Sequence, residues 1–219
     1  SYCIRWGRGF ALGHGQRNTM FWLSVGTIMI SLIALEAVLY PRLLGKVYPW
    51  RAGFSALAVT LGNQASQIIY ALIPIYIFSY FYDLRIFDFK VETPWHYFLM
   101  FLLADFSYYW GHRLSHHVRW MWASHAVHHM PNHLTLATSY QLAWTAWLSG
   151  EWLLWIPFLL LGINPDIGIH IMTLSLLYQF WLHTDLVPKI RILSLVLNTP
   201  SDHRVHHASN VEYVRSEER

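Results

Sequence analysis

The chain has 219 residues, of which 55% are apolar, 17% aromatic and 12% charged, a balance that water-soluble domains of this length rarely show and that points to a membrane protein. Its net charge of +3 is too small to argue for nucleic acid, so the basic residues read as topology markers. The single cysteine, Cys3, excludes an internal disulfide framework and any thiolate metal cluster, leaving nitrogen and oxygen as the available metal ligands. A start at Ser1 instead of Met suggests trimming or partial coverage, and no cleavable signal with a small-residue site is evident.

Five apolar runs approach the roughly 20 residues with which a helix spans a bilayer. They cover about 19–40, 54–82, 95–110, 139–161 and 167–182. The third and fifth are short, which leaves four spans plus a re-entrant hairpin as an alternative. Pro41, Gly45 and Pro49 follow the first run, Thr93 and Pro94 open the third, and Gly162, Asn164 and Pro165 divide the last two. No internal repeat beyond the histidine motifs and no low-complexity tract appears. The expected architecture is all-α, a polytopic transmembrane bundle of four to five spans forming one integral membrane domain over 1–219.

Ten of the fourteen histidines fall into four clusters, each at the end of an apolar segment. They are His112, His116 and His117 in HRLSHH, His125, His128 and His129 in HAVHH, His183 in FWLHTD, and His203, His206 and His207 in HRVHH. Following five spans through a membrane puts all four clusters on one side, so one site is geometrically permitted. That side carries Arg42, Lys46, Arg51, Arg113, Arg119, Lys189, Arg191, Arg204, Arg215 and Arg219; the other carries Arg5, Arg8, Arg17, Arg85 and Lys90. Positive residues favour the cytoplasm, so the clusters of this multi-pass protein are expected to face it, although Arg5, Arg8 and Arg17 run against the count.

On a helix, residues three and four apart share a face, so each HxxHH trio can serve one small volume. In the first cluster His112 and His117 are the preferred pair, with His116 bridging or orienting. Nine or ten imidazoles exceed the needs of one ion, since zinc takes about four ligands and octahedral ions about six. Two metals are the economical reading. Solvated interfacial histidines would not repeat the same doublet spacing, and a haem would use only two axial imidazoles.

The segments DFSYYWGHRLSHH, WASHAVHH, QFWLHTD and NTPSDHRVHH resemble the histidine boxes of the fatty acid hydroxylase superfamily, in particular its sterol desaturase and alkylglycerol monooxygenase-like branch. The resemblance covers about 95–210. It implies an integral membrane enzyme whose ten clustered histidines hold two iron ions, with zinc possible as purified. It also implies use of dioxygen and external electrons, from a redox partner or a pterin, to hydroxylate or desaturate a lipid alkyl chain.

Asp105, Gln179 and Asn198 become candidates for the catalytic machinery. Asp105 lies seven residues, or two helical turns, before His112 and is placed to hold an imidazole N–H, with Tyr109 completing the contact. Gln179 precedes His183 by one turn, where some relatives place another histidine, and can ligate through its amide or a water. Asn198 and Asp202 flank the last box and can orient His203 or His206. Glu36 and Glu151, within apolar runs, match no box and fit a polar crevice or an interface. His14, His96, His133 and His170 lie outside the boxes, and Trp95, Trp110, Trp120 and Trp122 sit near span ends, as an interfacial aromatic belt would.

Two departures from the branch stand out. Residues 134–141 contain no arginine where many relatives carry one, and the chain ends twelve residues after His207, where relatives continue with a segment that packs over the site. A shortened version with a complete ligand set is the resulting expectation. Two other classes compete with the oxygenase. A zinc membrane hydrolase suits histidine ligands but has no HExxH, leaving Asp105 or Asp202 as its base. A non-catalytic metal-binding membrane subunit is the other.

Overall fold

A computed structural model describes residues 15–70 and 72–208, and among these the chain is helical with no strand. It divides into two compact units, 1–48 and 49–219. His14 and Cys3 lie outside the described residues.

The first unit is built on helix α1, Gly15–Leu44. Pro41 lies inside the helix near its C-terminal end, where it removes one N–H from the hydrogen-bond ladder, and Gly45 closes the helix with φ +62°, donating its N–H to the Pro41 carbonyl at 3.1 Å. Trp22–Leu44 is long and apolar enough to cross a membrane. Glu36, in this apolar stretch, is buried and accepts a hydrogen bond from Tyr48 Oη at 3.2 Å, so its crevice lies within this unit.

The second unit begins with α2, Trp50–Tyr70, and α3, Leu72–Asp83, whose axes are angled by 54° and which together pass the same membrane test. Helix α4, Pro94–His117, starts with Pro94 in its first turn and Thr93 as cap, the Thr93 side chain accepting from His96 N at 3.3 Å. It stops at Val118, an extended residue, and α5, Arg119–His125, restarts from there. Helices α6, Ile156–Leu160, α7, Pro165–Leu182, and α8, Pro200–His206, complete the set. Met100 and Ala104 of α4 pack with Ile163 and Ile171 to form the buried core, bringing α4 and α7 side by side.

The helical span expected over 139–161 is not continuous. After a 3-10 turn at Leu136–Thr138, that stretch forms two more, Ala146–Ser149 and Glu151–Trp155, before α6. Gly150 at φ +85° breaks it, a conformation that favours glycine. Side chains from neighbouring helices take up carbonyls that a continuous helix would have used. Asn63 Nδ2 donates to Ala143 O at 2.6 Å, Thr60 Oγ1 to Tyr140 O at 2.9 Å, and Trp120 Nε1 to Leu148 O at 2.7 Å. Irregular backbone shielded from water is tolerated only with such partners. The segment therefore behaves as a buttress between α2 and α5.

Candidate metal centre

The bend at Val118 turns α5 back toward the end of α4, and α7 and α8 deliver the remaining histidines to the same place. Nine of the ten clustered histidines converge there in two groups. The first holds His112, His116, His125, His129 and His206; the second holds His128, His183, His203 and His207. Within each group the ligand nitrogens all lie within 4.8 Å of one another.

Helical geometry explains the partition. Each residue turns by about 100°, so i+4 partners diverge by only about 40°, i+3 partners by about 60° the other way, and adjacent residues by the full 100°. On α4 and α8 the i+4 pairs accordingly stay together, His112 with His116 and His203 with His207, and His125 stays with His129 across the turn that follows α5. The residue that completes each trio goes elsewhere, His128 to the second group and His206 to the first. Each HxxHH trio thus divides between the groups instead of serving one volume. His116 takes the place expected for His117, which is exposed and lies outside both groups.

The donor sets fit metal ions. In the first group His112 Nε2 lies 3.1 Å from His116 Nε2 and 2.9 Å from His206 Nε2, and His129 Nε2 lies 3.1 Å from His125 Nε2. In the second, His183 Nε2 lies 3.2 Å from His128 Nε2 and 3.1 Å from His203 Nε2. An imidazole Nε2 carries one proton or one lone pair, so one proton cannot serve two neighbouring Nε2 atoms at once. Two nitrogens bound at right angles to a common ion, each about 2.1 Å away, stand about 3.0 Å apart, which is the spacing observed. Among the described residues, both ring nitrogens of His207 and Nδ1 of His203 are buried without a hydrogen-bond partner, a costly state for groups that nothing else satisfies. Burial, followed by the charge of neighbouring imidazoles, pushes His125 down to about 2 and His128 to about 3. His203 is lowered well below its ordinary value for the same reasons, so these rings are neutral and able to ligate.

Surrounding contacts hold the rings in place. His183 Nδ1 lies 2.8 Å from the Gln179 carbonyl, an acceptor, which makes Nδ1 the protonated nitrogen and leaves the Nε2 lone pair facing the group. Arg204, between His203 and His206 in sequence, donates to Thr184 O at 2.7 Å and Val187 O at 2.9 Å, clasping the turn after His183 to α8. Gln141 Nε2 donates to Val127 O at 3.0 Å, beside His128. Ser115, fully buried between the α4 histidines, donates to Glu151 Oε1 at 2.5 Å. Trp122 packs on His116, His125 and His129 with ring centroids 5.3, 6.2 and 5.6 Å away, bordering the first group. The contacts of Arg204, Gln141, Ser115 and Trp122 could not be read from the sequence, because each spans elements whose packing the spacing alone does not reveal.

The three candidate catalytic residues line one cavity of about 680 Å³ between α4 and α7, together with His112, His203 and His206. Asp105 faces this cavity and makes no hydrogen bond to an imidazole among the described residues. Tyr109 Oη accepts from Arg113 instead of contacting Asp105. Gln179 acts on His183 through its backbone carbonyl while its side-chain amide donates to Ser175 Oγ at 3.1 Å. Asn198 accepts from Tyr178 Oη through its carbonyl. Asp202 accepts from Thr199 N at 3.2 Å and Thr199 Oγ1 at 2.6 Å, closing a capping box, so it orients the last histidine cluster through α8. Of the histidines outside the boxes, His96 accepts from Glu92 N at 3.2 Å, an ordinary local contact.

The sequence profile of the fatty acid hydroxylase family matches residues 97–216, which contain all ten clustered histidines. The chain belongs to that family. It is 35% identical over 184 residues to human alkylglycerol monooxygenase, covering 83% of this chain and 41% of that protein. Zebrafish alkylglycerol monooxygenase is similarly 35% identical over 184 residues, with the same coverage of 83% and 41%. The ornithine lipid hydroxylase of Rhizobium tropici is 28% identical over 107 residues, 49% of this chain and 32% of that protein. The chain therefore spans about two fifths of the length of the alkylglycerol monooxygenases it matches. No solved structure matches it.

Proposed function

We propose that this fatty acid hydroxylase family member is a membrane-bound two-metal oxygenase that hydroxylates a lipid alkyl chain, with dioxygen as co-substrate. The observation that carries the reading is the division of nine imidazoles into two adjacent ligand groups. Relatives that are a monooxygenase acting on alkylglycerols and a hydroxylase of ornithine lipid support the reaction class. Iron in both groups is the proposed active state, and zinc in either is an expected substitute on purification. Desaturation is a variant of the same proposal, since both outcomes begin with hydrogen removal.

A bound iron pair would supply the reductive activation of dioxygen for attack on a C–H bond. The chain supplies the rest. His112, His116, His125, His129 and His206 would hold one ion and His128, His183, His203 and His207 the other, with the His183 tautomer fixed by the Gln179 carbonyl. The cavity reaches His112 and His206 of the first group and His203 of the second, so an alkyl chain lying in it is presented to both. Leu182 and Val205 give it apolar wall, while Asp105, Gln179 and Asn198 offer polar contacts for the substrate. Trp122 packs against His116 and His129 of the first group.

Electrons would come from a separate reductase or a pterin, and the site would face the cytoplasm in a multi-pass arrangement of four to five membrane segments, as the distribution of Lys and Arg supports. The test is metal analysis of protein purified without added metal, joined to a dioxygen-uptake assay with lipid and reductant. Close to two ions per chain with lipid-dependent uptake is expected; a reproducible value near one, or no uptake by iron-loaded protein, would count against the proposal.

A further inference from the structure

Between the third and fourth histidine clusters runs the segment 189–197, KIRILSLVL, whose side chains are arranged inside out. Its single 3-10 turn, Leu193–Leu195, directs Ser194 inward, where Oγ lies 3.2 Å from Thr199 Oγ1 beside the capping box of α8. The apolar side chains point away from the protein: Ile192 is 81% exposed, Leu195 83% and Val196 85%. A soluble loop would present the serine and hide the aliphatics. Clustered exposed aliphatics of this kind mark a contact with something apolar.

The neighbouring residues indicate what that is. Lys189 and Arg191, both exposed, flank the aliphatic tip, and Lys189, Arg191, Ile192 and Leu195 share a shallow depression with Asp202. Basic side chains beside an apolar knuckle complement a lipid leaflet, with phosphates over the cations and acyl chains around the aliphatics. The apolar helix α7 ends at Leu182, and the six intervening residues can carry the chain no more than about 25 Å from that end. Lys189 and Asp202 also line the cavity that reaches His112, His203 and His206, so the knuckle stands at its mouth.

We propose that residues 189–197 form a leaflet-inserting knuckle at the cavity mouth, with Ile192, Leu195 and Val196 in the acyl region and Lys189 and Arg191 on lipid phosphates. Lipid then passes from the leaflet to the metal groups without crossing water. The delivery role rests on the proposed lipid oxygenase, whereas insertion does not. Two measurements keep them apart.

For insertion, Leu195→Cys or Val196→Cys on a Cys3→Ser background carries a bimane label in nanodiscs of phosphatidylcholine and phosphatidylglycerol. Quenching by acyl-brominated lipid but not by aqueous iodide is expected. Iodide quenching would overturn insertion, and so would protection from both quenchers, which would mean that protein covers the knuckle. For delivery, the variants Ile192→Ser/Leu195→Ser/Val196→Ser and Arg191→Gln should raise the apparent KM for lipid in anionic vesicles. Each cation contributes about fivefold in affinity for such a surface. The KM for the same lipid in detergent micelles, and the metal content, should stay unchanged. An unchanged vesicle KM would overturn delivery, as would an equal rise in micelles. If the parent protein turns over no lipid while the label is quenched as expected, the oxygenase reading fails and insertion stands.

Discussion

Adjacent histidines on a helix are aimed about 100° apart, and in this chain both HxxHH doublets divide between two groups of imidazoles that could hold metal ions. His128 and His129 belong to different groups, as do His206 and His207. His116→Ala should therefore lower metal content from about two ions per chain toward one and abolish turnover, because the first group loses one of five imidazoles. His117→Ala should leave metal content near two, since His117 lies outside both groups. Metal analysis of the two variants checks the assignment, and equal losses in both would contradict it. The sequence made the existence of the site legible through spacing and repetition. It did not reveal which histidine joins which group, because the i, i+3 and i+4 positions share a face only loosely and the choice depends on where the partner helix stands. Asp105 was legible as an unusual carboxylate in an apolar run, but its direction, toward the cavity and not an imidazole, required the packing of α4 on α7.

At the scale of elements, the metal groups depend on contacts that join sequence-distant turns. Arg204 fastens the turn after His183 to α8 through two carbonyls, and so ties together three of the four ligands of the second group. Losing a contact that orients ligands costs about 10- to 100-fold in metal affinity. Arg204→Met should show such a loss for the more weakly held ion in a chelator titration, and Arg204→Lys, which can keep one of the two bonds, should fall between. Identical titrations for all three proteins would show that the clasp does not position ligands. Gly162 is the second such point. It has φ +85°, and an added Cβ would collide with the Phe87 backbone carbonyl, so Gly162→Ala should destabilise the protein by about 2 kcal/mol or more in a thermal unfolding assay, and an unchanged melting temperature would contradict the packing of 86–89 on α6. Helix positions over 19–40, 95–110 and 167–182 were readable from apolar length. The stretch 139–161 misled because its composition is that of a span, while Gly150 and carbonyl-seeking side chains such as Asn63 and Trp120 divert its backbone into 3-10 turns.

For the whole molecule, the all-α class and the family follow from sequence, whereas the number of membrane crossings does not. Among the described residues one helix meets the length and hydropathy needed to cross a membrane, or two if α2 and α3 are taken together. Ten of the fifteen Lys and Arg fall on the histidine side of a five-span arrangement, so a reporter fused after Arg219 should be cytoplasmic; a reporter found outside would reverse the orientation and exclude cytoplasmic electron donors. The central claim is that two histidine-held metals activate dioxygen against a lipid. It is tested most directly by turnover under labelled dioxygen with purified, iron-loaded protein, lipid and reductant. Label from dioxygen in a hydroxylated lipid is the predicted result, or label released only as water where desaturation occurs. Undiminished product formation under strict anaerobiosis, with its oxygen drawn from water, would contradict the account.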